Sequence, residues 1–236
     1  MFSNVHIVLI NTSHSGNIGS SARAMKTMGF KNLILVNPKK FPSEEANSLA
    51  VGCVDVLENS KIYDNLSEAL ETSEINIGFT SRKRKVHIPS LDINECVDLI
   101  LSNKRKYNIL FGNEKSGLSN KELLLCDYIV SLPTYNDYKS LNLSAAVQIF
   151  VYELFKKSFE LPKAEDSLIP LATSKEKNFF FLQLFKLLKD TRFLSEKNHI
   201  SLTKKIHILF NKAKLDHDEI NILLGMISSV NKRFNK

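Results

Sequence analysis

The chain has 236 residues, 43% of them hydrophobic, with 32 Lys+Arg against 25 Asp+Glu. That leaves room for one sizeable core plus a smaller appendage, and no apolar run approaches the ~20 residues a membrane-spanning helix needs. The net charge of +7 is uneven: residues 1–172 hold 19 basic and 19 acidic residues, residues 173–236 hold 13 and 6.

In chain order, MFSNVHIVLIN opens without a basic leader and long apolar core, so it reads as a first strand, Val5–Ile10, and not as a signal peptide. Ser13–Gly19 (SHSGNIG) reads as a polar turn, Ser20–Met28 as a helix of small residues, and Gly29 as its C-terminal cap. Asn32–Val36 is a buried strand ended by Pro38. Short helices at Ala46–Leu49 and Ala50–Leu57, a short strand at Ile62–Tyr63 and a helix at Leu66–Glu71 follow. Ile75–Thr80, Tyr107–Gly112 and Asp127–Leu132 complete the strands, with helices at Ile93–Leu101 and Lys121–Cys126 between them. Leu132–Asn142 crowds Pro133, Asn136, Asp137, Ser140 and Asn142 into a loop; behind it Leu143, Val147, Phe150, Val151 and Leu154 recur at helical spacing. Glu160–Ser174 reads as a linker, and Lys175–Leu188, Ser201–Lys214 and Asp218–Phe234 as three amphipathic helices.

Short apolar strands alternating with helices predict an α/β domain, a parallel sheet with helices on both faces. The division expected is a domain at 1–157, a linker at 158–174 and a basic helical extension at 175–236. Ligands of such sheets sit outside the carboxyl ends of the strands. Here those ends run into Asn11, Thr80, Gly112 and Leu132. Cys53, Cys96 and Cys126 are odd in number and form no CxxC, which suits reduced thiols in a cytoplasmic protein. The histidines show no metal-ligand spacing, so no metal is expected.

Four stretches hold residues capable of chemistry, each with a plainer reading beside it. Asn17 and Arg23 lie in NIGSSARAMKTMGF; the guanidinium there suits a phosphate, or the pair is a helix cap and a surface arginine. FGNEKSGL (111–118) places Gly112 at a strand end and Glu114 in the turn, but has neither a Walker A loop nor a GxGxxG; it holds a ligand or merely connects strand to helix. In KSLN (139–142), Ser140 and Asn142 hold a ligand or cap the next helix, with Ser144 another capping candidate. SRKRK (81–85) meets phosphates or is a solvated loop. The basic tail suggests a polyanion such as nucleic acid, or a solvated face.

Together and in this order, N-x5-R, FG-x-E-x-x-GL and SLNLS–AAV resemble the SPOUT superfamily of RNA methyltransferases. The likeness is closest to the TrmJ family, tRNA 2′-O-methyltransferases acting on cytidine or uridine 32 of the anticodon loop. TSHSGNIGSSARAMKTMGF with NLILVNP, and EINILLGMISSV in the tail, carry it. The resemblance implies a C-terminal trefoil knot that binds S-adenosyl-L-methionine, a homodimer with the active site near the subunit interface, and tRNA as partner. It implies cofactor contacts at Phe79, Thr80, Ser81, Gly112, Leu132, Lys139, Ser140 and Leu141. It assigns Arg23 as the catalytic arginine, with Asn17, Glu114, Ser140 and Asn142 as the other polar site positions. Three departures stand out: Asn113 where Arg is frequent, Lys139 where Ser is common, and YND (135–137) in place of an NPE-like run. The alternatives are ribose methylation at another tRNA or rRNA position, and an RNA-binding module without catalysis.

Overall fold

The computed structural model describes residues 2–82, 88–135, 140–160, 170–194 and 199–234. They divide into two units, 1–168 and 169–236. The first holds seven strands: β1 (Val5–Ile10), β2 (Asn32–Val36), β3 (Lys61–Tyr63), β4 (Ile75–Phe79), β5 (Ser90–Leu91), β6 (Tyr107–Phe111) and β7 (Tyr128–Val130). Its helices are α1 (Ser15–Thr27), α2 (Glu44–Ala50), α3 (Val54–Glu58), α4 (Leu66–Ala69), α5 (Ile93–Leu101), α6 (Asn120–Leu123) and α7 (Leu143–Lys157).

The strands form one sheet in the order β3-β2-β1-β6-β4-β7-β5, and every pair is parallel. The chain leaves β1 outward to β2 and β3, then crosses to β4 on the other side, and β6 later inserts between β1 and β4. The central strands carry apolar side chains on both faces because helices cover both. Val8, Ile10, Ile34, Val36 and Leu110 meet Leu66, Leu70 and Leu123 on the α4 and α6 side. Phe79 and Phe111 turn the other way, stacked 4.7 Å apart, and Phe150 of α7 sits edge-on to Phe79 at 5.2 Å. Phe150 is fully buried, which stabilises the fold by ~1.5–3 kcal/mol relative to exposure. This ring pins α7 to the carboxyl ends of β4 and β6.

Three local expectations change. Helix α1 begins at Ser15, so SHSGNIG is mostly its first turn, and the N-cap is His14 instead of Asn17. The reason is distant: the Glu114 carboxylate accepts the backbone N–H groups of Ser13 and His14. The 46–57 stretch is interrupted by left-handed backbone at Val51 and Gly52 (φ 33° and 73°), so α2 ends at Ala50 and α3 starts at Val54. Strand β5 is absent from the sequence reading; it has two residues, paired with the outer edge of β7. Gly29 ends α1 with φ 77°, as the sequence indicates.

The second unit holds α8 (Ser174–Asp190), α9 (His199–Ala213) and α10 (His217–Phe234) around Phe180, Phe181, Ile220 and Ile227. Thr173 and Glu176 form a capping box at the start of α8. The carboxylate of Glu176 also meets His217 Nδ1.

One contact in the first unit depends on a glycine. A Cβ at Gly19 of α1 would lie 2.1 Å from the Ala46 carbonyl oxygen, so α1 and α2 touch backbone to backbone. Gly19→Ala should therefore lower stability by ~1–3 kcal/mol through overpacking, read as a fall in Tm; an unchanged Tm would contradict this close approach.

Candidate active site

The carboxyl ends of β4, β6 and β7 open onto one pocket. Phe79, Thr80 and Ser81 form one wall, Gly112 and Glu114 a second, and Leu132, Ser140 and Leu141 a third. Seven of the eight residues expected around a cofactor thus line it; Lys139 lies outside the described residues. Of SRKRK, Ser81 and Arg82 are described, and 83–85 are not. An adjoining hollow shares Thr80, Arg82, Leu132 and Thr134 and extends to Ser90 and Ile129.

Gly112 is where the pocket's floor bends. A Cβ there would sit 2.3 Å from the Leu118 nitrogen, because the loop folds back on the strand end. Gly117 closes that loop with φ 62°, its N–H donating to the Asn113 carbonyl at 3.0 Å. The Asn113 side-chain oxygen accepts from the N–H groups of Lys115 and Ser116 at 3.1 and 2.8 Å. Asn113 therefore shapes the loop from within. Arg82 donates to the Lys115 carbonyl at 2.9 Å, tying the loop after β4 to the loop after β6.

Beside the pocket, Glu114 gathers four donors. One carboxylate oxygen accepts from the Ser13 N–H and hydroxyl at 3.1 and 2.8 Å. The other accepts from the His14 N–H at 3.2 Å and the Asn17 amide at 2.9 Å. The Asn17 side-chain oxygen in turn accepts from the Asn142 amide at 3.0 Å. Asn142 is the N-cap of α7, its oxygen accepting from the N–H groups of Ser144 and Ala145 and from the Ser144 hydroxyl. The capping reading of Asn142 therefore holds, and the same side chain reaches the neighbouring site. Ser144 is a donor to that cap.

Burial of Glu114 works against its charge, but the donors from Asn17 and Ser13 outweigh it and hold the carboxyl at about 2. The site therefore keeps a fixed negative charge at neutral pH.

Glu114, Asn17 and Asn142 are joined, and Ser140 lies on the same pocket. Arg23 is not among the pocket-lining residues. Because α1 starts early, Arg23 lies more than two turns into it, ~9 Å along the axis from Asn17. Its side chain is exposed and makes no hydrogen bond or ion pair among the described residues. Ser13 is a contributor the sequence reading did not assign to the site, and Arg82, expected within SRKRK to meet phosphates or solvent, ties two loops together instead. Ser13 offers only a hydroxyl next to a glycine-rich turn.

The family model described as SpoU rRNA Methylase matches residues 4–152, and that of the tRNA methyltransferase TrmJ C-terminal domain matches residues 175–236. A tRNA (cytidine/uridine-2′-O-)-methyltransferase TrmJ of Pectobacterium atrosepticum is 39% identical over 239 residues, 98% of each chain. The crystal structure of TrmJ from Z. mobilis ZM4 matches with a TM-score of 0.87 at 26% identity, covering 96% of this chain and 98% of that one. The SpoU methyltransferase AviRb from Streptomyces viridochromogenes, solved in complex with AdoMet, shares the fold at a TM-score of 0.54 and 23% identity, over 66% of this chain and 61% of that one. With both units matched in order and relatives alike along nearly the whole length, the chain belongs to the TrmJ family of SpoU methylases.

Proposed function

We propose that this protein is an S-adenosyl-L-methionine-dependent tRNA ribose 2′-O-methyltransferase acting on cytidine or uridine 32 of the anticodon loop. The observation that carries the reading is the full-length relationship to TrmJ proteins, in which both units have their counterparts. The pocket fits the cofactor's chemistry. Phe79, Leu132, Leu141 and Leu143 give apolar walls suited to a purine, Thr80 and Ser140 offer hydroxyls, and Glu114 supplies a nearby negative charge. When bound, the cofactor supplies a methyl group already activated on a sulfonium.

The protein's part is alignment and charge. Asn17 is held between Glu114 and Asn142, so its orientation is fixed before substrate arrives. Arg23 presents a free guanidinium, and we assign it to the phosphate beside the target ribose. A guanidinium keeps its proton up to a pKa above ~12, so Arg23 acts as a cation that stabilises the developing alkoxide, not as a base. Its exposure suits a site completed by RNA and, in a homodimer, by the second subunit. The return of the Asn142 cap to Asn17 and the seating of α7 on α1 and α5 are consistent with a trefoil knot after β7. No helix among the described residues is long and apolar enough to cross a membrane, and we place the enzyme in the cytoplasm with its tRNA. The linker expected at 158–174 is shorter at its far end, because Ala172 packs in the second unit, Thr173 caps α8 and Ser174 begins it; the helical extension adds tRNA affinity through its excess positive charge.

A methyl-transfer assay with radiolabelled S-adenosylmethionine and total tRNA tests the activity: label should enter tRNA, and none would sink the reading. Arg23→Ala should lower methylation by ~10²-fold or more and leave cofactor binding in titration calorimetry intact; near-normal activity would show that the role assigned to Arg23 is wrong. Glu114 is held below its ordinary value of 4.5, so its stabilising effect is complete above that value and lost as pH falls toward about 2. The stability gap between wild type and Glu114→Gln, measured by thermal unfolding, should be constant above pH ~5 and shrink as pH falls below ~4.5; parallel pH profiles would refute the donor network. Removing residues 173–236 should weaken tRNA binding and flatten its salt dependence; an unchanged affinity and slope would remove the tail from RNA binding.

A further inference from the structure

The second unit carries a groove of about 480 Å³ between α8 and α10, within the ~300–1,000 Å³ range of small-ligand sites. Its floor is Leu224 and Ile227 of α10. Its α8 wall is Phe179 with Gln183 one turn on, and its α10 wall is Ser228, Asn231 and Lys232.

Several features distinguish it from core. Phe180 and Phe181 turn into the bundle and are buried, whereas Phe179 beside them is 52% exposed. The core does not require this ring, which lies open along the groove. Gln183, Ser228, Asn231 and Lys232 make no side-chain hydrogen bond or ion pair among the described residues. Two amides, a hydroxyl and an ammonium therefore stand free around one aromatic ring. No acidic residue occurs from Ile220 to Phe234, and residues 173–236 carry 13 basic against 6 acidic residues.

We propose that this groove binds a base of unpaired RNA, stacked on Phe179 with its edge read by Gln183 and Asn231, and with Lys232 on the adjoining phosphate. Aromatic stacking with flanking basic residues is how proteins hold unpaired bases, and a paired base has no free face to offer. The inference rests on the proposed tRNA-binding role of this unit and specifies what it grips.

The chain contains no tryptophan, so Phe179→Trp in the full-length protein places a single fluorophore at the stacking position. The probes are an RNA single strand of about twelve nucleotides and the matching duplex. The single strand should quench the tryptophan saturably and the duplex should not. Phe179→Ala should weaken single-strand binding about tenfold or more, with Phe179→Tyr restoring it, and Lys232→Ala should reduce the salt slope by about one. Absence of quenching at saturating single strand, equal loss on strand and duplex in Phe179→Ala, or quenching that follows protein concentration would overturn the proposal; the last would mark the groove as a contact between copies. If tail-dependent tRNA binding and methylation persist without quenching, this inference alone fails. If deleting the tail leaves tRNA binding unchanged, the underlying reading fails with it.

Discussion

A single carboxylate organises the active edge of this protein. Glu114 leaves the end of β6 and accepts from the Ser13 backbone and hydroxyl, the His14 backbone and the Asn17 amide. It thereby starts α1 earlier than local sequence suggests, orients Asn17, and through Asn17 reaches the Asn142 cap of α7. Three segments, the first about a hundred residues from the other two, are locked at one point. The donors hold the Glu114 carboxyl well below the usual carboxylate range. It therefore acts as a fixed structural charge and not as a proton carrier.

The sheet explains why this happens at one edge. Its inner strands are parallel and buried on both faces, so ligands have no access along them. What remains is the row of carboxyl ends, where β4, β6 and β7 stop side by side and their loops meet. The stacked rings of Phe79 and Phe111, with Phe150 edge-on to Phe79, form an apolar plate beneath that row. Gly112 lets the β6 loop fold flat across it. The plate and the carboxylate network divide the labour: one fixes depth, the other fixes the polar groups.

Much of this was legible residue by residue. The runs VHIVLI, NLILV, INIGF and YNILF announce strands by continuous apolar character, and Asn142 announces the cap of α7. Asn17, Glu114 and Asn142 each stand out as polar residues in turn-like settings. Their connection does not, because sequence spacing carries no information about partners 97 and 125 residues apart. The start of α1 escapes local reading for the same reason: Glu114, a hundred residues away, holds the backbone just before it. Strand β5 escaped because two residues cannot show periodicity. Asn113 stands where Arg is frequent in the family it resembles, and its side chain hydrogen-bonds its own loop. The grouping of seven pocket residues follows from sheet order, which local pattern alone does not determine.

The two units differ in charge as well as in fold. The first is neutral overall and holds the network; the second carries the whole excess of positive charge. The proposed reaction is methylation of a ribose in the anticodon loop. Nucleotide-resolution mapping of 2′-O-methyl groups on total tRNA, with and without the purified protein and S-adenosylmethionine, tests it most directly. The account predicts new methylation at cytidine or uridine 32. Methylation confined to other positions, or none at all, would contradict it.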